Sequence, residues 1–339
     1  LQTIPDHHDR HPYKAELFHQ GENDMTVELD QVPSALLNVS DESFWRSLNP
    51  DLHITAFPLS DIAHHLKTDA AAAEQCTARI IKEGYFQAPA LMSRKKAARL
   101  ARLVAELHRR KIAPVFAFVY DEFWQLLCGI DPVLRSALGD GYKVTPSDIW
   151  VWHVNNDPKA AGWGPHRDML VAESVRDDGR PRVINVWTPL TDATPLNACM
   201  YMLPTNLDPN VPKNLEDCAA YRLNAFQNIR AVPAEAGSAV GWNTQILHWG
   251  GRSSEWADQP RISVAVYVHS PDCELNDMDF EQCREGFAGL AYDKTFEMPF
   301  RTRLRAIAAA IQLYSEKVRV DYPEAARELF AFSTEYIKK

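Results

Sequence analysis

Five short strand-like runs between residues 149 and 269 follow one another with loop-like connections, and this limits the possible folds more than any other feature. They are 149–154 (IWVWHV), 183–188 (VINVWT), 197–203 (NACMYML), 239–248 (AVGWNTQILH) and 261–269 (RISVAVYVH), separated by clusters of Gly, Pro, Asn and Asp. Parallel strands need long crossover connections, usually helical, and these intervals do not read as helix. The expectation is a mainly β core with flanking helices, an antiparallel double-stranded β-helix of the jelly-roll, cupin-like kind. In the last run Ile262, Val264, Val266 and Val268 alternate with Arg261, Ser263, Ala265, Tyr267 and His269. One face is apolar and suited to seating helices, while the other is mixed and suited to lining a cavity. The alternation does not say which face turns inward.

The flanks read as helix. Ser40 or Asp41 caps a short helix holding Phe44 and Trp45, and Ser60 or Asp61 starts another through Leu66. Residues 70–83 are rich in Ala and Glu, and Ser93 precedes an amphipathic stretch from Arg94 to about Arg110. The basic side of that stretch reads first as a solvated face and second as a phosphate-binding surface. A further helix covers 121–127, and two more cover 303–318 and 323–332, with Pro323 in a first turn. The expected organisation is a helical region over 1–143, a catalytic core over 144–270 and a C-terminal extension over 271–339, integrated as one domain. The C-terminal helices offer a brace, a lid or a surface for homo-oligomers.

With 46% hydrophobic and 24% charged residues, the 339-residue chain has ample material for a core. Its net charge of -9 does not favour a nucleic-acid backbone. There is no run of eighteen apolar residues for a membrane span and no secretory pattern at the start. The six Cys are scattered without a CxxC pair, so a reduced, cytoplasmic setting is expected.

The chemistry concentrates in Gly162-Trp163-Gly164-Pro165-His166-Arg167-Asp168 and in His248. A His and a carboxylate two apart share one side of an extended segment. A distant second His completes a three-ligand face, which with open positions opposite suits non-heme Fe(II). Zinc competes for the same donors, giving a zinc-dependent hydrolase or a metal-dependent isomerase as one alternative. The absence of HExxH weighs against the hydrolase. A noncatalytic barrel with a binding or scaffold role is the other alternative.

Further residues follow the HxD in a fixed order: Trp187-Thr188-Pro189-Leu190-Thr191-Asp192-Ala193-Thr194, then Asn197 to Pro204, then His248 and Arg261. Over roughly 144–270 this pattern resembles the phytanoyl-CoA dioxygenase-like family of Fe(II)/2-oxoglutarate-dependent oxygenases. The resemblance implies that His166, Asp168 and His248 bind Fe(II), and that 2-oxoglutarate and O2 are cosubstrates. It implies that Arg261 pairs with the distal carboxylate of 2-oxoglutarate, supported by Ser263, with Arg252 as a rival closer to His248. A planar guanidinium suits that task. His153 and Asn197 are carried over as weaker cosubstrate contacts, and Asn185 as a residue that could face the cavity. The implied reaction is hydroxylation of an unactivated C–H bond of a small polar metabolite, with release of succinate and CO2. Asn155, Asn156, Trp163, Arg167, Trp249 and Arg252 are the candidate substrate contacts. Pro204-Thr205-Asn206-Leu207 departs from the Pro-Gly-Ser-His that often follows the Asn strand. Asp168 argues against a halogenase, which lacks this carboxylate.

Overall fold

The structure, a computed structural model, describes residues 38–55, 69–168, 174–213, 223–273, 289–317, 332 and 334–336. In chain order the helices are α1 (Glu42–Leu48), α2 (Ala70–Glu83), α3 (Arg94–Arg109), α4 (Asp121–Trp124), α5 (Asp131–Leu138), α6 (Tyr292–Thr295) and α7 (Phe300–Lys317). The strands are β1 (Tyr85–Ala88), β2 (Lys143–Val154), β3 (Val183–Pro189), β4 (Met200–Leu203), β5 (Arg230–Val232), β6 (Ala239–Asn243), β7 (Leu247–Gly250), β8 (Arg261–His269) and β9 (Leu290–Ala291).

Local chemistry sets the helix starts. Asp41, Asp69 and Ser93 accept backbone N–H groups of Ser43, Ala72 and Lys96, which satisfies donors that a first turn leaves open. The helix expected over 121–127 is α4 continued by a 3-10 turn at Gln125–Cys128. The helix expected from Ser60 or Asp61, and most of that over 323–332, lie outside the described residues.

The strands form two antiparallel sheets, one in the order β1-β6-β3-β8-β2-β9 and one in the order β5-β4-β7. The run expected as one strand over 239–248 is instead two, one in each sheet. Asn243 breaks it, because its side-chain oxygen accepts the N–H groups of Gln245 and Ile246 and turns the chain from β6 into β7. β2 starts six residues earlier than the expected 149 and absorbs Pro146 through a shift of register against β8 between Val144 and Ile149.

The two faces of β8 separate as their chemistry demands. Ile262, Val264, Val266 and Val268 enter a large apolar core with α3, α5, α7 and a 3-10 turn at Pro114–Val119. On the other side Ala265 joins Trp187, Met200, Met202, Val240 and Trp242 in a second apolar cluster drawn from both sheets. The site described below opens beside this second cluster.

α7 is tied down by charge as well as by packing. Arg303 is 1% exposed, pairs with Asp121, and donates to the carbonyls of Met298, Val119 and Thr55. Removing one member of a buried pair strands the other. Arg303→Leu is expected to cost about 3–5 kcal/mol in urea unfolding, and adding Asp121→Asn should recover part of that loss. An Arg303→Leu protein with unchanged stability would remove this role.

At the far end of β8, His269 is fully buried, with Thr145 Oγ1 against its Nδ1 at 3.0 Å. Burial, with Lys143 adding to it, pushes its pKa down to about 4. The ordinary value of an unfolded histidine is about 6.5. The folded form thus binds the proton less well than the unfolded chain, so His269 contributes stability that is intact above about pH 6.5 and is lost as pH falls to about 4. His269→Asn is expected to flatten the pH dependence of unfolding free energy between pH 5 and 6 by about 1.4 kcal/mol per pH unit. Parallel slopes for the two proteins would show that His269 is not the group responsible.

Candidate metal centre

The two histidines meet through their backbones. His166 N–H donates to the His248 carbonyl and His248 N–H donates to the His166 carbonyl, both at 3.0 Å, as a two-way antiparallel bridge. Directly opposed residues on an antiparallel pair put their side chains on the same side, and the two imidazole rings lie 4.3 Å apart. β7 in turn pairs with β4, His248 opposite Met202, so the ligand sits in a sheet rather than on a free loop.

Asp168 closes the group. Its Oδ1 is 3.4 Å from His166 Nε2 and 3.6 Å from His248 Nε2. One donor atom from each of the three residues lies within 4.8 Å of the others. Each histidine is set in the same tautomer, since His166 Nδ1 faces the Gly164 carbonyl at 2.7 Å and His248 Nδ1 faces the Ile246 carbonyl at 3.1 Å. A carbonyl only accepts, so Nδ1 carries the hydrogen and Nε2 presents its lone pair.

Electrostatics favour the ligating forms. Burial pushes the His248 imidazole down to about 4, against the opposing pull of Asp168, so it is neutral at neutral pH. Burial alone would raise the Asp168 carboxyl, but His248, His166 and a hydrogen bond from Tyr267 together hold it below the ordinary carboxylate range. A neutral His248 imidazole and an ionised Asp168 carboxylate are the forms that ligate a divalent iron.

These ligands line a cleft with Trp152, Trp163, Asn185, Trp187, Met200, Trp242, Gly250, Arg261, Ala265, Tyr267 and Tyr314. Arg261 is 2% exposed, donates to Ser263 Oγ at 2.8 Å, and lies over the Trp187 ring. Among the described residues no carboxylate pairs with it, its Nε has no partner, and burial lowers its pKa to about 10. Room for this guanidinium comes from two glycines. A Cβ on Gly162 would meet Gly250 Cα at 2.6 Å and Arg261 at 2.8 Å, and one on Gly250 would meet Gly162 Cα at 2.7 Å.

A model of the phytanoyl-CoA dioxygenase family matches residues 64–257, more than half of the chain. The chain belongs to the phytanoyl-CoA dioxygenase family. Membership and the His-Asp-His centre together make this dioxygenase-family protein a non-heme Fe(II)/2-oxoglutarate-dependent oxygenase. The zinc-dependent hydrolase and scaffold alternatives fall away. Among solved structures, the α-ketoglutarate-dependent epimerase SnoN from nogalamycin biosynthesis is similar at 18% identity over 60% of this chain and 82% of its own, with a TM-score of 0.44. The monooxygenase ThoJ, as a nickel complex, is similar at 14% identity over 72% and 98%, with a TM-score of 0.46. EctD from S. alaskensis with 2-oxoglutarate and 5-hydroxyectoine is similar at 17% identity over 65% and 83%, with a TM-score of 0.41. No curated protein matches the sequence.

In this family member the cleft gathers only part of the expected site. Trp163 and Arg261 line it, with Ser263 behind Arg261. His153 does not reach it, because Trp152 takes the cavity side of β2 and the next residue must face the other way, where His153 stacks on His108 at 4.0 Å. Asn197 is absorbed by its own turn, accepting from Thr194 N–H and donating to the Asp192 and Gln259 carbonyls. Arg167 points away from the cleft into a fully buried pair with Asp208 at 2.7 Å, as alternation from His166 requires. Asn155, Asn156 and Arg252 are exposed, and Trp249 stacks on Tyr201 outside the cleft.

Several lining residues were not foreseen. Trp152 and Tyr267 carried a signal, the alternation of β2 and β8, but the inward face was undecided. Trp242 was hidden in a run read as a single strand. Tyr314 arrives from α7 and no local pattern announces it. The glycine pair also left a trace, since each ligand segment carries nearby glycines, Gly162 and Gly164 on one and Gly250 and Gly251 on the other. Gly250→Ala is expected to force apart the segments carrying Gly162 and Gly250, displace Arg261 and raise the KM for 2-oxoglutarate about tenfold or more. Wild-type KM in that variant would mean the close approach has no bearing on the cosubstrate.

Proposed function

We propose that this oxygenase hydroxylates an unactivated C–H bond of a small polar metabolite, with His166, Asp168 and His248 holding Fe(II) and Arg261 holding the distal carboxylate of 2-oxoglutarate. When bound, the iron supplies oxidative chemistry in which 2-oxoglutarate and O2 become succinate and CO2 as the substrate is oxidised. The observation that carries the residue roles is the uncompensated charge of Arg261, buried in the same cleft as the triad. A buried guanidinium without an anion is costly, and a carboxylate entering beside it relieves that cost.

The chain's own residues then divide the work. Ser263 fixes the Arg261 fork, and Trp187 carries the guanidinium on its face. Asn185 offers a polar contact inside the cleft, while Trp152, Trp163 and Tyr314 supply aromatic walls that orient the substrate and exclude water. Tyr314 is itself held by a hydrogen bond to Asp148 at 2.9 Å and by stacking on Trp150. Large acyl carriers fit this reading poorly. Much of the basic surface along α3 is in ion pairs, Arg94 with Asp192, Arg99 with Glu122, and Arg109 and the C-cap Arg110 with Glu106.

The two sheets are the halves of a jelly roll in this reading, with the triad at its mouth. A cytoplasmic setting agrees with buried Cys76 and Cys199 thiols, and no helix among the described residues is long and apolar enough to cross a membrane.

The deciding experiment measures iron content and succinate formation in three proteins. Asp168→Ala is expected to lose iron and succinate formation together. Arg261→Leu should keep the iron while the KM for 2-oxoglutarate rises about thirtyfold or more, the loss of roughly 2 kcal/mol of charged hydrogen bonding. Undiminished turnover in Asp168→Ala would defeat the triad assignment, and an unchanged KM in Arg261→Leu would move the cosubstrate anchor elsewhere.

A further inference from the structure

Asp168 offers two oxygens, and the protein treats them differently. Oδ1 faces both histidine Nε2 atoms. Oδ2 accepts the indole N–H of Trp242 at 2.9 Å. An indole nitrogen only donates, so this contact commits a lone pair of Oδ2 away from a metal held by the other three atoms.

Trp242 is well placed to hold that commitment. It is 2% exposed and lies on β6, opposite Asn185 of β3 on one side and Tyr85 of β1 on the other. Its ring packs against His248 with centroids 4.8 Å apart. The indole therefore has little freedom to swing away, and both strands would have to move with it.

Coordination arithmetic gives the contact a consequence. A six-position ion with three protein ligands has three positions left, two for a chelating 2-oxoglutarate and one for dioxygen. A carboxylate bound through both oxygens would occupy one of those three. We propose that Trp242 is a positioning residue that confines Asp168 to one-oxygen coordination and so keeps the last position open for dioxygen. The proposal rests on the assignment of His166, Asp168 and His248 as the iron site.

The test compares wild type, Trp242→Phe, and a protein carrying benzothienylalanine at position 242, which keeps the shape of the indole and removes only its N–H. Each is loaded with Co(II) and 2-oxoglutarate for crystallography, and with Fe(II) for kinetics of succinate formation. Wild type should show Asp168 bound through Oδ1 alone, with Oδ2 still beside the indole nitrogen. Both altered proteins should bind cobalt through the two oxygens. Their apparent KM for oxygen should rise by about tenfold or more, while the KM for 2-oxoglutarate moves much less. A merely structural role would not separate the two KM values, and the benzothienylalanine protein controls for any packing defect left by Phe. One-oxygen binding with a wild-type oxygen KM in the benzothienylalanine protein would overturn the proposal, as would two-oxygen binding in wild type. Wild type that takes up no cobalt at the triad would instead overturn the iron-site assignment, and this proposal with it.

Discussion

The two-way backbone hydrogen bond between His166 and His248 is the contact on which the site depends. It joins a segment outside the named strands to β7 at the one register that brings both imidazoles to the same side. A shift of one residue would turn one histidine away and bring its neighbour, Arg167 or Trp249, into its place. The neighbours guard against that shift. Arg167 is locked to Asp208 and Trp249 to Tyr201, each away from the cleft. The glycines 162 and 250 allow the same two segments to approach closely enough for Arg261 to pass beside them.

Within that frame the buried charges are arranged to be completed from outside. Asp168 faces the Nε2 atoms of both imidazoles and so presents an anionic face to a cation. Arg261 presents a positive face beside Ser263, the Trp187 ring and the two glycines. Among the described residues no Lys or Arg pairs with Asp168 and no carboxylate pairs with Arg261, unlike Arg167 with Asp208 or Arg303 with Asp121. That contrast separates charges paired within the fold from the two charges that the proposed function assigns to ligands. The protein keeps both kinds close together, with Arg167 lying between two metal ligands in sequence.

The helices do more than cover the sheet. α7 anchors itself through Arg303 near its start and delivers Tyr314 to the cleft near its end. The matched family segment ends at residue 257, so both β8, with Arg261, and α7, with Tyr314, lie beyond it. A helix outside the matched segment thus supplies one wall of the cleft.

Sequence alone determined the antiparallel strands of the core and the helix start at Ser93, narrowed the first helix start to Ser40 or Asp41, and singled out His166, Asp168 and His248 as one candidate donor set. These depend on nearest neighbours or on residue chemistry: a cap, an alternation of two, a His and a carboxylate two apart. The inward face of β8 needed the sheet, because alternation is symmetric until one side is covered. His153, Asn197 and Arg167 looked like site residues because their types and positions suited the chemistry, yet a one-residue alternation, a closed turn and a remote aspartate took each of them. Trp242 and Tyr314 were invisible for the opposite reason. They reach the cleft through a sheet corner and a distant helix, and only tertiary packing, which brings together segments far apart in the chain, could decide that.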